Sequence, residues 1–288
     1  QVGVLNSAQL NGIQSTVIGT LSNDQVQALS TSALVGLDSA HVSKLSSTQV
    51  GALNTAQVKV LTSDQLKTMT SDQLPSLSVA GMAVLTSAQF SAIDSGDISK
   101  LGADQIKALS TTVIASLTSA QANSLVGDQA AALTTAQVKA LTSGSLKAMA
   151  SDPLGRLSTA AMATLTASQI TAIDSADLIT MGADQVAAIN TTALSNLAST
   201  LIGVLTTDQT ASLTSSQIKA LKTEQIKGLT SSQTAVLSKS QLEVMTTTQI
   251  QAMESEDFAT LTASAIVGLN ATQAKVLSSD QIKALTTD

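Results

Sequence analysis

Large aliphatic residues return along this chain with a period of eight. Counted from Asn6 as position 1, the sequence divides into 35 consecutive octads, from NSAQLNGI to SSDQIKAL at residues 278–285, with no insertion or deletion. Position 8 is Leu, Ile or Met in every octad, and position 5 is usually Ile, Leu or Val. Position 4 is Gln in 21 of the 35, and position 1 is Ser, Thr, Asp or Asn in 27. The consensus is T-S-x-Q-I/L/V-x-A-L.

A strand does not fit this pattern. Positions 5 and 8 have opposite parity, so one face of a strand cannot hold both, and Ala and Gln are poor strand residues. One long helix does not fit either. Eight residues advance by about 800°, so the apolar stripe drifts by roughly 80° per octad and matches neither a heptad nor an eleven-residue repeat.

A short helix restarted in every octad does fit. Ser or Thr at position 1 is a natural N-cap, and Gln at position 4 is then the N3 residue of a capping box. Position 8 of the preceding octad and position 5 become the two members of a hydrophobic staple. Acids recur at position 3 (Asp24, Asp64, Asp104, Asp280), where they favour the positive helix end. Lysines recur at position 6 (Lys59, Lys139, Lys219, Lys283), toward the other end. Helices of five to seven residues are well below the length that is stable alone in water, so they must stack. The predicted fold is all-α, a solenoid of short helices with one per octad. Residues 1–288 form a single array with two core residues per octad, and a β-solenoid is the structural alternative.

A longer period of ten octads overlies the first. Residues 78–117 and 158–197 are identical at 20 of 40 positions. The acidic octad DSGDISKL at 94–101 returns as DSADLITM at 174–181 and ESEDFATL at 254–261. Duplication of a gene segment accounts for this, and a whole number of superhelical turns in ten octads is the sharper expectation. Neither end carries the atypical capping repeat that closes most solenoids. The sequence is therefore expected to be a slice of a longer array or a unit that stacks end to end.

Composition narrows the chemistry. Aromatic residues make up 1%, Phe90 and Phe258 alone, and charged residues 12%, about half the usual share. The formal net charge is −6 and lysines are scattered singly, which argues against a nucleic-acid partner. No apolar run approaches the length of a membrane span. Cysteine is absent, which removes disulfides and thiolate metal sites.

Few residues suggest a site. The acidic octads pair Asp94 with Asp97, Asp174 with Asp177, and Glu254 with Glu256 and Asp257. Closely spaced carboxylates are candidates for Ca²⁺, which takes six to eight oxygens. The plainer reading gives one acid to the N-cap and the other to N3. No catalytic residue, no other metal ligand and no cofactor is expected. His41, the only histidine, replaces Gln at position 4 and reads as a polar surface residue. Pro75 and Pro153 read as local adjustments of a turn. Asn190-Thr-Thr and Asn270-Ala-Thr match the glycosylation sequon, as chance will produce in a Thr-rich repeat.

The blocks LTSDQLKTMTSDQL, LTTAQVKALTSGSL and LSSDQIKALTTD resemble the "LTxxQ" octapeptide arrays of very long bacterial surface and secreted proteins. The resemblance spans the whole chain and carries no catalytic motif. It implies a secreted, cell-surface structural protein that associates with itself in a filament, surface layer or biofilm matrix, rather than an enzyme. A rigid adhesin stalk and a solenoid that binds a peptide or surface glycans are the alternatives. The scarcity of aromatics counts against a glycan platform.

Overall fold

The computed structural model describes residues 2–285. Among them are 34 short α-helices and two 3-10 turns, and no strand, so the fold is a helical solenoid and the β-solenoid alternative is set aside. The chain forms two compact units, Gln1–Pro153 and Leu154–Asp288. Each is built in the same way.

The helices start as the octad prescribes. In the octad Thr134–Leu141, the Thr134 side chain accepts from the Gln137 N–H at 3.2 Å, and the Gln137 Oε1 accepts from the Thr134 N–H at 2.9 Å. This reciprocal pair recurs at Ser46/Gln49, Thr62/Gln65, Thr214/Gln217 and Thr246/Gln249. Helices run four to six residues, for example Ser15–Ile18 and Thr135–Ala140. They end without a left-handed residue, because no residue among those described has positive φ. In many octads the position-8 residue turns extended while its N–H still bonds the position-5 carbonyl, as at Leu141, with φ −56° and ψ 135°. That extended residue leads directly into the next cap.

Proline adjusts single turns, as the sequence suggests. Pro75 shortens its octad to a 3-10 turn at Leu74–Ser76, and Pro153 sits in the first turn of Ser151–Gly155, where its missing N–H costs nothing.

Within each unit the chain winds so that helices three octads apart pack together: Val79–Ala83 on Ala103–Ala108, Ala103–Ala108 on Gly127–Ala132, and Ala183–Ala188 on Thr207–Ser212. Most hydrogen bonds between adjacent turns join residues 25 to 31 apart, such as Ser47 Oγ to the Asp72 carbonyl and Gln49 Nε2 to the Ile18 carbonyl. One turn therefore holds more than three octads and fewer than four. The aliphatic side chains of positions 5 and 8 fill the interior, with Phe90 and Phe258 at position 5. Most octads with Gln at position 4 bury three residues, not the expected two, because that Gln is also inside: Gln57, Gln129 and Gln233 are each 1% exposed.

Candidate functional site

A buried glutamine, present in more than half of the octads, needs partners for both ends of its amide. The oxygen is used locally, in the capping box. The nitrogen crosses to the preceding superhelical turn. Gln137 Nε2 donates to the carbonyls of Ile106 at 3.0 Å, Lys107 at 3.1 Å and Leu109 at 2.8 Å. These carbonyls close a helix four octads back, where the last turn has no intrahelical donor to offer them. One side chain thus begins its own helix and caps the end of another.

The arrangement repeats as a ladder along each unit. Gln49 reaches Ile18 and Leu21, Gln65 reaches Leu34 and Leu37, and Gln129 reaches Ile98 and Leu101. In the second unit Gln217 reaches Val186 and Ile189, Gln249 reaches Ile218 and Leu221, and Gln281 reaches Ile250 and Met253. In each of these the reach is to residues 31 and 28 positions back. Ser145 supplies a shorter rung, its hydroxyl donating to the Leu117 carbonyl at 3.1 Å.

A single family finding fits this unit. The ALTTAQ repeat model matches residues 18–55, 42–79, 90–126, 98–135 and 250–287, about half of the chain. The chain belongs to the ALTTAQ repeat family. No curated protein gives a significant match. The six letters stand verbatim at Ala132–Gln137 of this ALTTAQ array, running from the end of one helix through the Leu133 turn and the Thr134 cap to the rung at Gln137.

His41 is not a surface residue. It is 5% exposed and occupies the place of a rung. Its Nδ1 faces the N-cap carboxylate of Asp38, and its Nε2 lies 2.7 Å from the carbonyl of Ile13, 28 residues back. The Nε2 meets the carbonyl 28 residues back that a Gln amide reaches elsewhere, while the Nδ1 meets the cap side chain in place of the cap N–H, so the buried ring has a partner on each side. With both ring nitrogens so engaged, neither is presented to a serine hydroxyl. The sequon asparagines are also structural. Asn190 caps its helix and donates to the Ala163 and Leu165 carbonyls, and Asn270 caps through Oδ1.

The acidic octads replace the amide donor by an acceptor. In the middle copy both acids serve the helix start: Asp174 accepts from the Asp177 N–H at 3.0 Å, and Asp177 accepts from the Asp174 N–H at 3.3 Å. Asp94 and Glu254 make no such cap bond. Asp97 instead accepts from the Ser71 hydroxyl at 2.6 Å, and Asp257 from Ser231 at 3.3 Å and Thr234 at 3.5 Å. Burial raises the Asp257 pKa above its ordinary value, the hydroxyls of Ser231 and Thr234 opposing it and the Glu254 charge adding to it. Among the described residues no group of three or more His, Asp or Glu side chains is placed to hold a metal ion. Asp94, Asp97, Asp174, Asp177, Glu254 and Asp257 are therefore not gathered into a Ca²⁺ cage; each octad offers its acids singly or as a pair.

The charged rows at positions 3 and 6 lie on the surface. Lys227 pairs with Glu224 at 3.6 Å and Lys283 with Asp280 at 3.3 Å, both well exposed and each worth a few tenths of a kcal/mol at most. Large exposed apolar residues such as Val35, Val79, Val126 and Ile179 stand singly along the chain. No helix among the described residues is long and apolar enough to cross a membrane.

Proposed function

We propose that this array is a structural segment of an extracellular assembly, built by association of solenoid with solenoid in a filament, surface layer or matrix. The observation that carries the reading is the ladder itself. Its buried glutamines join one turn to the next, and the helix starts are occupied by caps. What faces outward is short and mostly uncharged: Ser, Thr and Ala, with acids and lysines at intervals. Such surfaces approach one another closely, and their hydroxyls hydrogen-bond across the contact at little desolvation cost. The extracellular setting rests on the resemblance to surface and secreted octad proteins.

Sedimentation and negative-stain electron microscopy of the purified chain over a concentration series test this. Ordered polymers or sheets that grow with concentration are expected. A monodisperse monomer at every concentration, together with isolated rods in the native material, overturns self-association and favours the stalk reading.

A further inference from the structure

Every glutamine rung is electrically neutral and insensitive to pH. The rung at His41 is different in kind. Its two ring nitrogens face two acceptors, the Asp38 carboxylate and the Ile13 carbonyl, and each contact needs an N–H. A neutral imidazole has only one. The geometry is satisfied in full only by the doubly protonated ring.

The same corner also ties the two octads through Asn11. Its Oδ1 accepts from the Asp38 N–H at 3.0 Å, and its Nδ2 donates to the Gly36 carbonyl at 2.8 Å. Asp38 additionally accepts from the His41 N–H at 3.1 Å. The helix Ser39–Val42 packs between Ser15–Ile18 and Ser63–Lys67. The first of these carries no ionisable residue. The second carries Asp64 and Lys67, both exposed and neither bonded to the ring. Lys44 lies on the same octad as His41, and the octads at 6–13 and 46–53 carry no charge. Asp38 is therefore the one charged group that meets the imidazole.

We propose that His41 is a proton-dependent rung, a built-in pH switch that clamps the octad 38–45 onto the octad 6–13 when protonated and lets residues 6–21 loosen when it is not. Burial alone pulls the His41 pKa down, but the bonds to Asp38 and to the Ile13 carbonyl outweigh it, and the net shift is upward from 6.5. The Asp38 pKa is lowered from 3.8, first by its side-chain bond to His41. The signs agree. A raised histidine stabilises the fold fully below 6.5 and loses that contribution as pH rises through the folded value. A lowered aspartate contributes above 3.8 and is lost as pH falls through its folded value. The clamp is strongest between those limits.

His41 is the only histidine, so its ring titrates as a single resolved signal by NMR. The expected midpoint lies above 6.5, and Asp38→Asn brings it down. Amide exchange of residues 6–21, corrected for intrinsic base catalysis, is expected to lose about tenfold protection between pH 6 and pH 9. His41→Gln installs the ladder's ordinary rung, and its protection is expected to be the same at both pH values. A wild-type midpoint at or below 6.5, or an equal pH dependence in His41→Gln, overturns the proposal.

Discussion

The side-chain amide of Gln137 donates to the main-chain oxygen of Leu109 at 2.8 Å, one superhelical turn earlier, while its own oxygen holds the N–H of Thr134. A single residue therefore couples helix initiation, helix termination and turn-to-turn packing.

Gln137→Glu keeps the capping box but places a carboxylate among three buried carbonyls. A loss of about 3 kcal/mol or more is expected, because the donor is lost and an unpaired charge is buried. The loss should shrink as pH falls and the acid becomes a donor. Gln25→Glu is the control. Gln25 is exposed and bonds only within its own capping box among the described residues, so the change should fall within about 0.5 kcal/mol. Urea denaturation of both variants at pH 7 and pH 4 decides the matter, and equal losses would refute the cross-turn role.

How much of this was legible in the sequence follows from distance along the chain. Caps, staples, helix starts and the buried positions 5 and 8 depend on residues within one octad of each other, and the eight-letter pattern displays them directly. The rung joins residues 28 to 31 apart, and the number of octads per turn is written nowhere locally. One cue did exist. A capping box accepts Glu as readily as Gln, yet position 4 is never Glu in any of the 35 octads. That strictness points to a second duty for the amide nitrogen. His41 reads as a surface residue in the sequence for the same reason, since its partner Ile13 lies in another turn.

Asp257 stands where Gln would reach the Ile226 and Leu229 carbonyls, and it is 4% exposed. Its raised pKa means that the folded state favours the neutral acid, so the residue costs stability as pH rises from 3.8 through its folded value. Asp257→Gln should restore a rung and stabilise the protein by about 1 kcal/mol at pH 7, with a smaller gain at pH 3. Thermal melts at the two pH values provide the comparison; a larger gain in acid would contradict it.

Thr210 occupies a position-5 core site at 0% exposure, and its hydroxyl has no hydrogen-bond partner. Thr210→Val keeps the shape and removes the orphaned group, so a gain of about 1 kcal/mol is expected. Thr234 is the counterpart at another position 5. Its hydroxyl bonds Ser231 at 3.0 Å and Thr260 at 2.8 Å, and Thr234→Val should lose about 1 kcal/mol. Midpoints of chemical denaturation that move in the same direction would count against this account.

Two glycines separate close approach from convenience. A methyl group at Gly203 would sit 2.6 Å from the Gly228 carbonyl oxygen, whereas one at Gly96 meets nothing within 4 Å. Gly203→Ala is expected to destabilise by about 1–3 kcal/mol through backbone displacement. Gly96→Ala, inside the helix Ser95–Ile98, should instead gain about 0.5–1 kcal/mol from helix propensity. Differential scanning calorimetry distinguishes the two signs.

The constant reach of the rungs bears on how such a gene can change length. Replication slippage that adds or deletes one whole octad gives each downstream glutamine a new partner sequence but leaves it facing the same two kinds of carbonyl, at the end of a helix of the same type. Gain or loss of anything but whole octads destroys the phase. Copy number can therefore drift among close relatives while the period stays fixed. Drift is expected to be tolerated except where a pairing is individual, as between Gly203 and Gly228 or between Ser71 and Asp97.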